Sequence, residues 1–200
     1  GWLRDLLPAE WRYVAFDHPE VGRAWYGARP HVCGDAAALP FKSALFDAVA
    51  ILEVIEHLER PDVAFSEVDR VLKPGGTVLC SVPFLYPVHD APRDFQRLTI
   101  HGLLGLAARF GWEAQSSRRI SPGYHSLAVQ FGVGLSSTVV APQGVGLLRR
   151  VASFASLPLI PIVNLACALM SALLPEPVAL SGGHVLVFRK ADKNRSVGAS

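Results

Sequence analysis

Residues 34–76 read GDAAALPFKSALFDAVAILEVIEHLERPDVAFSEVDRVLKPGG, and this stretch decides the fold. Residues 46–52 form a nearly continuous apolar run, which predicts a strand buried on both faces of a parallel sheet. Residues 61–72 begin with a proline and repeat apolar side chains near helical spacing, which predicts a helix. The Lys-Pro-Gly-Gly sequence at 73–76 ends that helix, and a second buried strand is predicted over residues 77–82.

The flanking sequence continues the alternation of strands and helices. Extended runs are predicted at residues 12–17, 31–35 and 112–116, a helix over 99–109, and a last strand over 184–189. This alternation indicates an α/β fold built on an open, mostly parallel sheet with helices on both faces. Ligands of such sheets bind beyond the carboxyl ends of the strands, so the residues that directly follow the strands are the candidates for chemistry.

Composition narrows the class of protein. Half of the residues are apolar and 18% are charged, which is typical of a folded chain. Nineteen basic residues stand against seventeen acidic ones, and the sequence has no basic stripe with interleaved aromatic side chains, so no nucleic-acid partner is expected. Cys33, Cys80 and Cys167 have neither CxxC nor zinc-site spacing, which predicts buried, reduced thiols and a cytoplasmic location.

Four segments occur in the order and at the spacing of a known family. They are GDAAALPF at 34–41, FDAV at 46–49, EVIEHL at 53–58 and EVDRVLKPGG at 67–76. Together they resemble the ubiquinone-biosynthesis-like branch (methyltransferase type 11) of the class I S-adenosylmethionine-dependent methyltransferases. The resemblance covers residues 12–116 and the last strand. It implies a Rossmann-like α/β fold with an antiparallel last strand, and S-adenosyl-L-methionine as the cofactor.

The resemblance assigns five residues to the cofactor. Asp17 matches the acidic residue that binds both ribose hydroxyls, a task for which a carboxylate has two acceptor oxygens. Asp35 matches the acidic residue near the adenine amino group, and Ala36 offers backbone contacts to the ring. Leu52 and Glu53 match positions beside the methionine part. The alternatives are a turn aspartate for Asp17 and a loop cap for Asp35.

The resemblance fails at the start of the chain. The family places a strand and a glycine-rich cofactor-binding loop about twenty residues before the position of Asp17. Only sixteen residues precede Asp17 here, and Gly1 is the only glycine among them. The chain is therefore either N-terminally truncated, which we favour because the downstream segments are intact, or a degenerate member of the family. Weak cofactor binding is expected of the chain as it stands.

The sequence after the second buried strand is a candidate active-site loop. Residues 83–99 read PFLYPVHDAPRDFQRLT and resemble a Pro-Phe, His, Pro, Asp-Tyr, Arg, Thr signature of methyltransferases found among sugar and polysaccharide genes. Methyl transfer is an in-line displacement, so the protein must align the acceptor and, for a hydroxyl, remove its proton. His89 is the candidate catalytic base or orienting group. Asp94 and Arg97 either contact the substrate or form a structural ion pair.

A second interpretation of this region involves a metal. Glu53, Glu56, His57 and His89 resemble the Glu-x-x-Glu-His segment and later histidine through which an RNA 3′-end methyltransferase family binds a divalent ion. Such a set suits Mg²⁺, Mn²⁺ or Zn²⁺. The EVIEHL segment is also widespread among members that need no metal, and in that case we assign His57 to the substrate. The sequence leaves the metal undecided.

An apolar insert precedes the last strand. Residues 151–174 contain no charged side chain, and their length permits a membrane span. Prolines interrupt the run, however, and a single crossing would separate the last strand from its own sheet. A helical hairpin that covers the site as a lid, or that makes a peripheral contact with a membrane, is predicted instead. The expected divisions are 1–120 plus 183–190 for the methyltransferase domain, 121–182 for the insert and 191–200 for a disordered tail.

The sequence therefore predicts an S-adenosylmethionine-dependent methyltransferase that acts on a small-molecule or saccharide acceptor at oxygen. The alternative is a catalytically degenerate protein of the same fold that acts as a partner or a membrane-associated subunit. A nicotinamide-dependent Rossmann enzyme is disfavoured because it has no use for the segment at 34–41 or for the Glu-His segment. The acceptor and the oligomeric state stay open.

Overall fold

The computed structural model describes residues 2–19, 30–140, 146–177 and 179–192, so most of the predicted tail lies outside it. The helices are α1 (Trp2–Leu6), α2 (Pro61–Val71), α3 (Ile100–Ala108), α4 (Tyr124–Val139), α5 (Leu147–Ser156) and α6 (Leu159–Leu173). The strands are β1 (Phe16–Asp17), β2 (Val32–Cys33), β3 (Phe46–Leu52), β4 (Leu72–Pro83), β5 (Trp112–Pro122) and β6 (Ser181–Lys190). A short 3-10 turn, Ile55–His57, follows β3.

Four strands form the main sheet in the order β3-β4-β6-β5. β3 and β4 are parallel, with Ala50 opposite Leu79, and β6 runs antiparallel to both of its neighbours. Three strands of this sheet therefore share one direction and β6 opposes them. This topology confirms the Rossmann-like α/β class, the mostly parallel sheet and the antiparallel last strand.

β1 and β2 form a separate parallel pair, with Phe16 opposite Val32. The sequence does not predict this division. Within the described residues, no strand is hydrogen-bonded to both the β1–β2 pair and β3. A hydrogen-bonded ladder forms only between neighbouring strands about 4.8 Å apart, so the two groups of strands are separate sheets. Aromatic contacts join the two sheets instead, because the ring of Phe41 lies edge-on to Phe16 at 5.9 Å and to Phe46 at 5.0 Å between centroids.

Helices α2 and α3 cover one face of the main sheet. Phe65 of α2 stacks on Trp112 with 5.0 Å between ring centroids, and Leu103 of α3 is buried in the same core. Alternate side chains of β4 and β6 face these helices, namely Val78, Cys80, Val82, Leu186 and Phe188. The predicted helix over 61–72 and the predicted buried strand over 77–82 are therefore confirmed.

The cysteines differ from one another in their surroundings. Burial raises the pKa of the Cys80 thiol to about 12, so this thiol stays protonated and packs as a small apolar group. Cys167 is also buried, as predicted. The prediction is wrong for Cys33, which is exposed because it ends a two-residue strand at the edge of the small sheet.

β3 is less buried than its apolar sequence predicts. Val49 and Ile51 pack against the core beneath α2 and α3, whereas Ala48 and Ala50, which point to the opposite face, are exposed. The prediction of a strand buried on both faces is wrong in the described structure, because no described element covers the face of Ala48 and Ala50.

The apolar insert contains a helical hairpin. α4 leaves the end of β5, and α5 and α6 return along it to β6, the neighbour of β5 in the sheet. At the base of the hairpin, the backbone N–H of Tyr124 donates to Glu176 at 3.2 Å. The sequence predicts the hairpin within residues 151–174, whereas in the structure α5 and α6 follow one another as one limb and α4 is the other. Helix α4 is not predicted, because Gly132, Gly134 and the residues at 136–139 have low helix propensity, which packing against α6 overrides.

Candidate active site

The loop of residues 84–99, between β4 and α3, folds back over the 3-10 turn. The side-chain amide of Gln96 donates to the carbonyls of Ile55 at 3.0 Å and Leu58 at 2.9 Å. The backbone N–H of Phe95 donates to the carbonyl of Glu56 at 2.9 Å. Thr99 ends the loop as the N-cap of α3. These contacts hold the middle of the loop against the turn that follows β3.

Glu56, His57 and His89 converge where the loop meets this turn. One ligand atom from each lies within 4.8 Å of the others, and the two imidazole rings are 5.0 Å apart in edge-on contact. His57 Nδ1 lies 2.6 Å from the carbonyl oxygen of Arg93, and His89 Nδ1 lies 3.2 Å from that of Pro87. A carbonyl oxygen can only accept, so in the neutral ring of His57 Nδ1 carries the proton and Nε2 keeps its lone pair. At His89, Nδ1 also lies 3.4 Å from Asp94 Oδ2 and 3.4 Å from Arg97 Nη2. The carbonyl and the carboxylate favour the same tautomer there, and the guanidinium opposes it.

Glu56 is a buried carboxyl without a hydrogen-bond partner among the described residues. The residue is 2% exposed, neither carboxyl oxygen is hydrogen-bonded, and His57 Nε2 lies 3.7 Å away. Burial raises the pKa of Glu56 above its ordinary value, and the charge of Glu53 adds to the rise while His57 and His89 oppose it. An orphaned buried carboxyl is uncommon and marks a place that favours a bound proton or a cation.

Asp94 and Arg97 form the ion pair that anchors the loop. Arg97 donates to both oxygens of Asp94, at 2.5 and 2.7 Å, and also to the carbonyl of Pro87 at 3.0 Å. Asp94 in turn accepts from the backbone N–H of His89 at 2.9 Å. The bidentate bond from Arg97 holds the pKa of Asp94 well below its usual range. Of the two roles predicted for this pair, the structure shows the anchoring one.

The change Asp94→Asn is expected to lower the free energy of unfolding by about 2 kcal/mol, because it leaves Arg97 half-buried without its carboxylate. The side chain of Asp94 is 1% exposed. Because its folded pKa is lowered, its stabilisation is present above the ordinary pKa of 3.8 and is lost as the pH falls toward the folded value. Urea denaturation of both proteins should therefore show a constant difference from pH 5 to 8 that shrinks below about pH 4.

Asp62→Asn is the matched control for that measurement. Asp62 is paired with Arg60, whose side chain is 70% exposed, and an exposed pair adds little to stability. An Asp94→Asn protein as stable as the Asp62→Asn protein would contradict the anchoring role.

Glu53 occupies a strained position at the end of β3. Its φ of 52° lies in the left-handed region, which residues other than glycine seldom adopt. Ser81 holds it there, since the backbone N–H of Glu53 lies 3.1 Å from Ser81 Oγ. Glu53 is not part of the Glu56–His57–His89 group. It borders a cavity of about 140 Å³, which we call the loop cavity and which is lined by Glu53, Pro83, Leu85, Tyr86, Ile120, Ser121, Val129 and Gly182.

Asp17 is the last residue of β1, and Asp35 lies two residues after β2. Asp17 accepts a hydrogen bond from the N–H of His18 at 2.7 Å, and Asp35 accepts one from the N–H of Ala37 at 2.8 Å. These are the turn and loop-cap contacts that the sequence offers as alternatives to cofactor binding. Asp35 is nevertheless exposed, with half-buried Ala36 beside it, so its carboxylate faces solvent where a ligand can reach it.

Two side chains of α2 position the segment that follows Asp35. Arg70 donates to the carbonyls of Leu39 at 2.9 Å and Phe41 at 2.7 Å, and Glu67 accepts from the N–H of Leu39 at 2.8 Å. Glu67 and Arg70 also pair with each other at 2.7 Å. The family motifs do not assign this role, although an acidic and a basic residue three positions apart on a predicted helix are a recognisable signal.

Arg93 connects the small sheet to the cluster. Its carbonyl accepts from His57, and its guanidinium lies 3.5 Å from the ring of His18, the residue that follows β1. The residues that follow β1 and β4 therefore meet at one edge, as expected for ligand-binding α/β folds.

The other predicted residues lie at the ends of β3 and β4. Leu52 is half-buried and ends β3 opposite Ser81 of β4, and Glu53 follows it directly. Four of the predicted residues come together around Glu56, namely His57, His89, Asp94 and Arg97.

Three of the four residues considered for a metal have a suitable arrangement. Glu56 offers a buried, unpartnered carboxyl, and His57 and His89 each offer Nε2 while a backbone carbonyl holds Nδ1, a pattern typical of metal-binding histidines. Glu53 lies outside this group. A divalent ion held by the three residues would act as a Lewis acid.

Comparison with known proteins finds methyltransferases that are similar to part of this chain. Residues 3–80 match the family model described as a methyltransferase domain. A methyltransferase of Mycolicibacterium smegmatis named as S-adenosylmethionine-dependent is 32% identical over 134 residues, which cover 62% of this chain and 52% of that protein. These matches support the resemblance to methyltransferases that the sequence shows over residues 3–80.

Two further methyltransferases are similar to this chain, one in sequence and one in fold. The ubiquinone/menaquinone biosynthesis C-methyltransferase of a Ruegeria species is 50% identical over 48 residues, which cover 24% of this chain and 19% of that protein. The chain thus spans between a fifth and about half of the curated methyltransferases compared here. The methyltransferase in a solved complex with the Trm112 methyltransferase activator of Haloferax volcanii shares the fold, with a TM-score of 0.52, 19% identity, and coverage of 94% of this chain and 76% of that one.

Proposed function

We propose that this methyltransferase domain moves a methyl group from S-adenosylmethionine to an acceptor hydroxyl, with His89 as the base. The observation that carries the proposal is the position of His89 beside the loop cavity. The ring of Tyr86, which lines that cavity, lies 5.2 Å from the ring of His89 in edge-on contact. With Nδ1 held by the carbonyl of Pro87, Nε2 is the atom that can accept a proton.

The chain's own residues perform the remaining tasks. When bound, S-adenosylmethionine supplies a methyl group on a sulfonium sulfur that leaves as a neutral thioether. Asp94 and Arg97 keep the loop and therefore the His89 ring in place. His89 Nε2 removes the hydroxyl proton as the acceptor oxygen forms its bond to the methyl carbon. Asp17 and Asp35 bind the ribose and the adenine, and Ala36, Leu52 and Glu53 complete the cofactor side.

The acceptor in this proposal is a small molecule or a saccharide with a reactive hydroxyl. The sugar-gene signature of residues 83–99 supports oxygen as the methylated atom, whereas the Ruegeria relative is named for C-methylation. NMR of the methylated product distinguishes the two, because a methoxy carbon and a C-methyl carbon resonate far apart. The free cysteines at 33, 80 and 167 support a cytoplasmic location for the reaction.

Cofactor binding tests the proposal most directly. Asp17→Asn and Asp35→Asn are each expected to weaken S-adenosylmethionine binding by about 10- to 100-fold, because each removes a charged hydrogen-bond acceptor. Isothermal titration calorimetry on this chain and on a form extended upstream would measure the change.

Asp47→Asn is the matched control for both variants, since its carboxylate is 87% exposed at the start of β3, away from the carboxyl ends of the strands. An Asp47→Asn protein that loses as much affinity as the other two would contradict the assigned cofactor site. Absence of binding by both the present chain and the extended form would favour the degenerate, non-catalytic alternative.

A further inference from the structure

The helical hairpin exposes a large apolar surface. Arg149 and Arg150 are the only Asp, Glu, Lys or Arg residues between Arg119 and Glu176. A monomeric soluble protein seldom exposes a contiguous apolar patch of this kind without a function. The patch consists of exposed side chains along α5 and α6, namely Leu147, Leu148, Val151, Phe154, Leu159, Ile162, Leu165, Leu169, Leu173 and Leu174.

The shape of the hairpin limits how this surface can meet a membrane. The segment Leu147–Leu173 is long and apolar enough to span a bilayer by length and composition, and almost none of it is buried in the protein. Both ends of the hairpin, however, join neighbouring strands of one sheet, so its two limbs must stay on the same side. Arg149 and Arg150 lie near its far end, where insertion into the centre of the bilayer would be costly. An orientation along the interface avoids that cost and places both arginines among lipid headgroups.

A groove inside the hairpin leads toward the candidate active site. A cavity of about 590 Å³, which we call the hairpin groove, lies between α4 and α6 and is lined by residues that include Ala128, Val133, Ile160 and Cys167. Ser121 and Val129 line both this groove and the loop cavity beside Glu53. The side chain of Gln130 in α4 also donates to the carbonyl of Leu85, which ties the hairpin to the 84–99 loop. The two cavities are therefore neighbours with a shared wall.

We propose that the patch on α5 and α6 docks on an anionic lipid bilayer and that the hairpin groove holds the apolar chain of an acceptor taken from that bilayer. The apolar side chains enter the acyl region, while Arg149 and Arg150 contact acidic headgroups. The acceptor class is an amphiphile whose hydroxyl end reaches the loop cavity and whose chain passes Val129. The docking surface stands independently of methyl transfer, whereas the role of the groove rests on the proposed function.

Vesicle flotation tests the docking surface without cofactor or acceptor. The protein is mixed with vesicles of phosphatidylcholine, or of phosphatidylcholine with about one third phosphatidylglycerol. We expect at least tenfold more protein to float with the anionic vesicles. Ile162→Asp/Leu165→Asp should abolish flotation, and Arg149→Glu/Arg150→Glu should remove the preference for anionic lipid. Leu6→Asp is the control, since Leu6 is 72% exposed outside the hairpin, and it should float like the wild type.

Three results of this experiment would overturn the docking proposal. The first is equal flotation with neutral and anionic vesicles, and the second is unchanged flotation of Ile162→Asp/Leu165→Asp with a native circular dichroism spectrum. The third is a wild-type chain that does not bind vesicles but forms a dimer, with the same double substitution dissociating that dimer. This result would assign the patch to contact with a second copy of the chain.

A fluorescent fatty acid tests the groove separately. Dansyl-undecanoic acid is the probe, and dansyl-glycine, which lacks the chain, is its control. Val129→Trp, which narrows the junction of the two cavities, should weaken probe binding at least tenfold, whereas Val129→Ala should not. Unchanged binding by Val129→Trp would overturn the groove assignment. Since S-adenosylmethionine affinity is measured in a different assay, a failure here is distinguishable from a failure of the proposed function.

Discussion

Replacing His89 with alanine is expected to lower kcat by about 100- to 10,000-fold, the usual contribution of a positioned general base. The acceptor hydroxyl would then have to lose its proton to water while the methyl group is transferred. S-adenosylmethionine affinity should stay within about twofold, because His89 lies on the loop after β4, whereas the residues assigned to ribose and adenine lie at the end of β1 and after β2. The measurement is steady-state turnover with the best acceptor from a panel of sugars, phenols and long-chain alcohols.

Two comparisons separate a base from a residue that only supports the loop. His101→Ala is the control, since His101 is an exposed histidine on α3, outside the cluster. Added imidazole should restore part of the activity of His89→Ala, because a small base can enter the space left by the ring. A loss of kcat smaller than threefold, or a loss confined to KM without rescue, would contradict the assignment of His89 as the base.

The change Glu56→Gln is expected to raise the free energy of unfolding by about 1–3 kcal/mol at pH 7.5 in the presence of a chelator, because it removes an unpartnered buried carboxyl. The direction of this change in stability follows from the pKa of Glu56. Burial raises the folded pKa of Glu56 above its ordinary value of 4.5, so the folded state loses stability as the pH rises through and above that value. The advantage of the variant should therefore shrink as the pH falls toward 4.

Urea denaturation at pH 4 and pH 7.5 would measure this difference. Glu59→Gln is the control, because Glu59 is an exposed carboxylate three residues further along the chain. A Glu56→Gln protein that is less stable than the wild type at pH 7.5 in the chelator would contradict the account of Glu56 as an orphaned carboxyl.

The same variants decide whether the cluster holds a metal. If Zn²⁺ or Mn²⁺ raises the Tm of the wild type but not the Tm of Glu56→Gln, the ion binds to Glu56, His57 and His89. His89 would then be a ligand, and the base would have to be sought elsewhere. An equal response of both proteins would remove the metal from consideration and leave His89 free to act as the base.

The elements that the sequence predicts well are those whose pattern is local. The unit of β3, α2 and β4 follows from an apolar run, a helical repeat behind Pro61 and a glycine-rich turn, all within 38 consecutive residues from 46 to 83. Helix α4 is not predicted from the sequence, because its glycines have low helix propensity. Its stabilisation comes from packing against α6, about thirty residues away in sequence. The exposure of Ala48 and Ala50 also depends on what covers the sheet, which the residues of β3 do not encode.

The sequence by itself indicated the class of fold and the resemblance to methyltransferases, and through that resemblance the cofactor, because motif order and spacing are properties of the chain alone. It also named His57, His89, Asp94 and Arg97, but it left open whether the last two form an ion pair. Only the tertiary structure showed that pair and the orphaned carboxyl of Glu56. It also showed which imidazole nitrogens are held by backbone carbonyls. These features depend on the folding of residues 84–99 over the turn at Ile55–His57, and distance, burial and hydrogen-bond direction exist only once two segments far apart in sequence are in contact.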